Sequence, residues 1–325
     1  MSDAAAEGSS GGRASPESGI RTVFFGSGGF GVPVLEALAA MPAIRFEAVV
    51  SAPDRPAGRR GVLRPTPVTL RARELGLPVL QPVRVRRPEG VASIVELAPE
   101  LIVLADYGQL IPRALLDLPP RGFLNLHPSA LPRWRGAAPI PATILAGDTR
   151  SAVTLIVLTE EMDAGPVVAV EPLEVRPDDT AVSLEGRAAE AAARLLRRAL
   201  PDWLDGRLEA RNQPEDGATL TRPLRREDGL LDAAGTAAVL ERQVRAYQPW
   251  PGSYVETDLG RLIVWQAHAG PSEPGDDPGR LVRAGRDGLA LATAGGRLIL
   301  DAVQLEGKTR VSAADLRRGH SRLVR

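Results

Sequence analysis

From Thr22 to about Gly206, short apolar runs alternate with amphipathic stretches. The runs TVFFG (22–26), FEAVVSA (46–52), PVLQP (78–82), LIVLADY (101–107), GFLNLH (122–127), VTLIVLTE (153–160) and VVAVEPLEV (167–175) read as buried strands. A long helix is expected from Ser183 to Trp203, where Leu184, Ala188, Ala191, Leu195 and Ala199 recur on a helical period. Strands alternating with helical stretches predict an α/β domain over residues 20–206, with a mostly parallel sheet flanked by helices.

The pattern then changes. Residues 207–220 are polar and rich in Gly, Pro and Asn, and read as a linker between domains. Beyond Thr221 a short helix, AAVLERQVRAY, precedes alternating strands broken by turns at Asp287-Gly288 and Gly295-Gly296, with a hairpin expected in SYVETDLGRLIVWQAHA. Short strands with frequent turns predict a small β-barrel of the oligonucleotide-binding type over 221–325. Residues 1–19 are small and polar, and read as a disordered tail and not as a secretory signal. No run reaches the roughly 18 apolar residues of a membrane helix, so the expected compartment is the cytoplasm.

Composition narrows the chemistry. The 325-residue chain has no cysteine and three histidines, which excludes thiolate nucleophiles and cysteine-ligated metals and leaves little for a histidine-rich metal site. Forty basic and forty acidic residues cancel, so only local clusters can announce a polyanionic partner.

Two segments compete as candidate sites. In VFFGSGGFG, Gly26, Gly28 and Gly31 follow a strand with the G-x-G-x-x-G spacing of a dinucleotide loop. The next strand, however, ends in Ser51 and Ala52, and Asp54 comes only after a proline, so the acidic residue that would hold a ribose is missing from its place. The second segment is Gly122 to Asp148. Its strand carries Asn125 and His127 two residues apart, hence on one side, and Pro128 ends the strand and leaves the imidazole at its carboxyl edge. The Met-Asp-Ala-Gly turn after a later strand holds Asp163 near the corresponding edge. An amide, an imidazole and a carboxylate without a placed serine or cysteine suit acyl transfer to an amine that is itself the nucleophile. Asn125 can donate to the developing oxyanion, His127 can donate or exchange protons, and Asp163 can orient the ring and take the amine's proton.

At these residues the sequence resembles the methionyl-tRNA formyltransferases, folate-dependent enzymes. The likeness runs from about Arg21 to His320 through PDRPAGR (53–59), YGQLIP (107–112), NLHPSALPRWRGAAPI (125–140), AGDT (146–149), MDAGPV (162–167), REDGLLD, RAYQPWPGSY and LEGKTRVSAADLRRGH. The resemblance implies a Rossmann-like catalytic domain with Asn125, His127 and Asp163 as the catalytic set. It implies 10-formyltetrahydrofolate as donor, placed against Ser129, Ala130, Leu131 and Pro132 and near Tyr107 and Gly108, with neither a metal nor a nicotinamide. The acceptor it implies is methionyl-initiator tRNA. Relatives commonly carry a G-T-P-x-F-A-like turn where this chain has GSGGFG, so the dinucleotide spacing is incidental on this view. The chain departs from the family pattern in HPSALP, at Asp106, at Pro223 where a lysine is common nearby, and at Ala233 where tryptophan is frequent.

Arginines cluster where such a tRNA would need them. PDRPAGRRGVLRP carries Arg55, Arg59, Arg60 and Arg64 in a Gly- and Pro-rich loop, and Lys308 and Arg310 begin a basic final segment. In the family this loop enters the acceptor end of the tRNA, with Arg59 matching its most prominent arginine. A monomer is expected. Three other readings stay open on the residues alone: a folate-dependent formyltransferase with an amino-sugar or purine-precursor acceptor, a nonenzymatic RNA-binding protein on the same scaffold, and a nicotinamide dehydrogenase.

Overall fold

The computed structural model describes residues 19–57, 62–320 and 323. The expected tail, apart from residue 19, lies outside them, as do Arg59 and Arg60. The first half of the chain builds one seven-stranded sheet: β1 (Ile20–Gly26), β2 (Ile44–Val50), β3 (Val79–Leu80), β4 (Leu101–Ala105), β5 (Phe123–His127), β6 (Arg150–Val157) and β7 (Val167–Glu174). Their spatial order is β7-β6-β5-β4-β1-β2-β3. The five strands from β3 to β5 are parallel, whereas β6 runs antiparallel to β5 and β7 antiparallel to β6. The sheet is therefore the mostly parallel, Rossmann-like one expected, with its strand order reversing at β1 and β4.

Helices cover both faces. α1 (Gly31–Ala39), α2 (Pro67–Glu74), α5 (Pro139–Ala146) and α6 (Ala181–Leu204) share a core with Phe24, Val49, Val103, Leu124 and Leu126. α3 (Pro88–Val95) and α4 (Arg113–Leu116) close the other face over Val23, Phe25, Ile102 and Phe123. Alternation along β5 explains the division: Leu124 and Leu126 face one core, while Phe123, Asn125 and His127 face the opposite side. α6 starts at Thr180, whose hydroxyl accepts from the Ser183 amide in a reciprocal capping box, and its buried stripe includes Leu184, Ala188, Ala191, Leu195 and Ala199.

The second half is an antiparallel curled sheet. β8 (Ser253–Thr257), β9 (Gly260–Gly270), β10 (Leu281–Ala284), β11 (Gly288–Ala292) and β12 (Arg297–Leu305) lie in the order β8-β9-β12-β11-β10, and β13 (Val311–Ser312) pairs with β12. This is the small OB-like barrel architecture that the turns foretell. Its core of Leu262, Val264, Leu289, Leu291 and Leu300 is closed by α7 (Ala237–Ala246) and α8 (Ala313–Gly319). α7 belongs to both halves, because Leu240 and Val244 enter the barrel core while Ala246 packs into the core of the first domain. Arg242 donates to the Leu145 carbonyl at 3.0 Å and Arg245 to the Asp179 carbonyl at 2.8 Å, which fixes α7 against α5 and α6. Among the described residues, no helix is long and apolar enough to cross a membrane.

Candidate active site

Asn125, His127 and Asp163 meet. Each is buried, and the Asn125 amide nitrogen donates to one carboxylate oxygen of Asp163 at 3.2 Å. The other oxygen accepts from the Gly136 backbone N–H at 2.8 Å and stands 3.5 Å from Nδ1 of His127. Nε2 of His127 lies 2.8 Å from the Trp134 carbonyl oxygen.

The strands bring Asn125 and His127 together as their spacing requires, but Asp163 arrives differently from the sequence expectation. β6 is antiparallel to β5, so its carboxyl end pairs Val157 with Leu124 and not with His127. Asp163 reaches the other two because the turn after β6 folds back. Gly165 makes that possible: a Cβ there would stand 1.8 Å from the Val157 carbonyl oxygen. Asp163 itself adopts φ +49°, a left-handed conformation that aspartate tolerates better than most side chains.

The loop after His127 is held from below. Ser129 is fully buried, and its hydroxyl donates to the Arg133 carbonyl at 2.7 Å, while Thr154 donates to the Ser129 carbonyl at 2.7 Å. Ser129 is thus committed to loop structure. Ala130 is exposed, and Leu131 and Pro132 are half-buried, so these three form the open flank. Nearby, Tyr107 and Gly108 of the YGQLIP segment part company. Tyr107 turns into the α3/α4 core, edge-on to Phe25 with ring centroids 5.0 Å apart, and its hydroxyl is buried without a partner. Burial pushes its phenol up to about 12. Gly108, at φ +73°, borders open space, with nothing within 4 Å of where a Cβ would sit.

The glycine loop is explained by its neighbours. A Cβ on Gly26 or Gly31 would come within 2.9 or 2.8 Å of the Ala105 carbonyl oxygen, and one on Gly28 within 1.7 Å of the Asp106 carboxylate. Asp106 therefore fills the space beside the turn, and glycine at 28 leaves room for it. Burial raises the pKa of Asp106, and that of Glu185, on which the Asp106 charge also acts.

The basic candidates lie apart from this cluster. Arg55 and Arg64 are exposed and face each other across the two-stranded hairpin Arg55–Ala57 and Val62–Arg64. Lys308 and Arg310 are exposed in the second half, and the Arg310 guanidinium lies 5.6 Å from the Trp265 ring centroid. Two shallow clefts elsewhere, one including Gln81, Arg84 and Arg87 and the other Ser183, Gly186 and Arg187, do not contain the trio. Among the described residues no cluster of three or more metal-ligating side chains occurs.

Comparison with known proteins decides the family. Residues 20–200 match the formyl transferase family model and residues 223–321 match the formyl transferase C-terminal domain. A methionyl-tRNA formyltransferase of Thermus thermophilus is 42% identical over 302 residues, spanning 93% of this chain and 96% of the relative. The chain belongs to the methionyl-tRNA formyltransferase family. A further member, from Geotalea daltonii, is 38% identical over 301 residues, again across 93% of this chain and 96% of its own. The fold is also that of more distant proteins. HypX from Aquifex aeolicus, solved in complex with tetrahydrofolic acid, superposes with a TM-score of 0.61 at 18% identity, over 94% of this chain and 48% of that one. An N-formyltransferase from Helicobacter canadensis, with folinic acid and dTDP-3-aminofucose, gives 0.64 at 14% identity, over 86% and 98%.

Sequence reasoning missed the residues that support the trio. Gln213 and Thr219, in the segment read as a linker, and Thr221 at its end bond to the loop 134–138 and to the Asp163 turn. Arg135, quoted only within a motif, is buried and donates to Gln213 at 3.0 Å. A polar, proline-containing stretch has no apolar period, so nothing in its pattern signals burial.

Proposed function

We propose that this enzyme moves the formyl group of 10-formyltetrahydrofolate onto the free amino group of methionyl-initiator tRNA, the formylation that serves translation initiation. The observation that carries the reading is the single carboxylate of Asp163 touching Asn125 and facing His127. The folate supplies an activated formyl carbon bonded to its N10. We assign its place to the flank of Ala130, Leu131 and Pro132, with Ser129 shaping the loop, and to the open space beside Gly108. Tyr107 supports that segment from the core.

The amino nitrogen attacks the formyl carbon, and the carbonyl electron pair moves onto oxygen. Asn125 has two amide hydrogens; one is used on Asp163, and the second stabilises the oxyanion. Nε2 of His127 donates to the Trp134 carbonyl, which leaves Nδ1 as the ring position for proton exchange, next to Asp163. Asp163 receives the proton lost by the attacking nitrogen, directly or through water. The oxyanion then re-forms the carbonyl and the carbon–N10 bond breaks as N10 takes that proton from Asp163, directly or relayed through Nδ1 of His127, releasing tetrahydrofolate and formylmethionyl-tRNA. No metal and no nicotinamide enters this scheme.

We assign the segment that carries Arg55, Arg59, Arg60 and Arg64 to the acceptor end of the tRNA. Guanidinium groups grip phosphate and stack on unpaired bases. Lys308 and Arg310 extend the basic surface on the barrel, where the Trp265 ring beneath Arg310 adds a flat face. We place the enzyme in the cytoplasm, as a monomer, with residues 20–206 as the catalytic domain, 207–220 as the connection and 221–325 as the tRNA-binding domain.

The test is transfer of labelled formyl from 10-formyltetrahydrofolate to methionine-charged initiator tRNA, with uncharged and elongator tRNAs and an amino sugar nucleotide as controls. Label on the charged initiator alone supports the reading. Label on the sugar and not on the tRNA overturns it.

A further inference from the structure

Gln213 stands in a stretch, RNQPEDGAT, whose composition is that of a solvent-exposed connection, yet it is only 8% exposed. Its amide nitrogen donates to the Asp163 carbonyl at 2.7 Å and to the Gly165 carbonyl at 2.8 Å. Its amide oxygen accepts from Nε of Arg135 at 3.0 Å. The partners on both sides fix which end of the amide is which, since a carbonyl can only accept and a guanidinium can only donate.

The same stretch braces the opposite wall of the site. Thr219 accepts from the Trp134 N–H at 2.8 Å and its carbonyl accepts from the Arg135 N–H at 2.9 Å. Thr221 accepts from the Ala138 N–H at 3.0 Å and donates to the Arg135 carbonyl at 2.9 Å. Trp134 presents its carbonyl to His127, and Gly136 its N–H to Asp163. Gln213 is therefore the one side chain of this stretch that ties the Asp163 turn to the 134–138 loop.

We infer that Gln213 is a positioning residue for the Asp163 carboxylate, and that the connection between the domains is a structural member of the active site. Asp163 is held at φ +49°, a sparsely populated conformation that even aspartate keeps more firmly when its surroundings hold it. The two bonds from Gln213 grip the turn at residues 163 and 165. Without them the turn can relax, and the carboxylate leaves the point where it meets Asn125, Gly136 and His127.

Gln213→Glu is the informative substitution, because it keeps the length and shape of the side chain and gives Arg135 a carboxylate partner. Its second oxygen, however, faces two carbonyls and repels them. The inference rests on the catalytic role proposed for Asp163, so the experiment compares Gln213→Glu, Gln213→Ala, Asp163→Asn and the double variant Gln213→Ala/Asp163→Asn. Single-turnover formyl transfer to methionyl-initiator tRNA is measured across pH, alongside tRNA affinity and thermal unfolding. Both Gln213 variants are expected to slow transfer by roughly 100-fold, the order that a misplacement of about 1 Å costs. Affinity for tRNA stays at the parent value, and the pH at half-maximal rate moves. In the Asp163→Asn background, Gln213→Ala adds less than about 2-fold, because residues acting through one group are not additive. A parent rate in Gln213→Glu, or additive losses in the double variant, overturns the inference while leaving Asp163 in its role. A parent rate in Asp163→Asn overturns both.

Discussion

Nε2 of His127 lies 2.8 Å from the carbonyl oxygen of Trp134, a residue held at φ +61°. Because that oxygen can only accept, Nε2 carries the proton, which leaves Nδ1 as the ring position for the proton exchange we propose. The Trp134 carbonyl is aimed by a brace on the far side. The indole N–H donates to Asp148 at 2.9 Å, Arg133 makes two bonds to the same carboxylate at 3.0 and 3.1 Å, and the Arg133 guanidinium stacks 4.2 Å from the indole. The aspartate of the AGDT motif thus acts on the histidine two steps away. Asp148→Ala is expected to lower the single-turnover rate by about 10-fold, within what loosened orientation costs, with tRNA affinity unchanged in a filter-binding titration.

Asn125→Ala removes the amide that we place on the oxyanion. Loss of one such donor costs about 100- to 1,000-fold in kcat in comparable sites. Rapid-quench measurement with saturating folate and tRNA checks this, and binding of both substrates should persist. Asn125→Asp is expected to be at least as damaging, since it sets a second carboxylate against Asp163.

Gly136 illustrates how much of the site was written in the sequence. Its presence in RWRGAAPI was visible, and so were the edge position of His127, the shared face of Asn125 and His127, and the turn at Asp163. The reason for the glycine was not. A Cβ at Gly136 would stand 2.2 Å from the Thr221 carbonyl oxygen, at φ +97°, an approach made by a segment far along the chain. The antiparallel run of β6 was hidden for a similar reason, because strand direction depends on pairing partners and not on local apolar period. Gln213 was hidden because its burial comes wholly from distant loops. Gly136→Ala is expected to destabilise the fold by more than about 1 kcal/mol, read as a lower midpoint in urea unfolding.

Asp106 and Glu185 give a pH dependence with a definite sign. Burial raises both pKa values above those of the unfolded chain. The folded state then binds more protons than the unfolded one between the two values, so stability present below the unfolded pKa declines as pH rises through the folded pKa. Asp106→Asn is therefore expected to raise Tm at pH 8, with the gain shrinking toward pH 4. An equal gain at both ends of that range would show that the carboxylate charge is not the cause. The Asp106 side chain is exposed to solvent, which screens its charge, so the effect is a modest one.

We assign the arginines of residues 55–64 to tRNA binding and not to the chemistry. Arg59→Ala is expected to lower kcat/KM for tRNA at physiological salt far more than it changes Tm. Replacing Arg55 and Arg64 as well should flatten the salt dependence of tRNA binding, by about 0.9 in the log–log slope for each duplex phosphate that is no longer neutralised. Equal specificity constants for parent and Arg59→Ala would remove the loop from tRNA recognition.

We assign formyl transfer to an amine to one imidazole, one amide and one carboxylate. The decisive measurement is the single-turnover rate of His127→Ala with saturating 10-formyltetrahydrofolate and methionyl-initiator tRNA. The expected rate is at least about 100-fold below the parent, the low end of what a positioned acid–base group contributes, with tRNA affinity intact. Transfer at the parent rate would remove His127 from the mechanism.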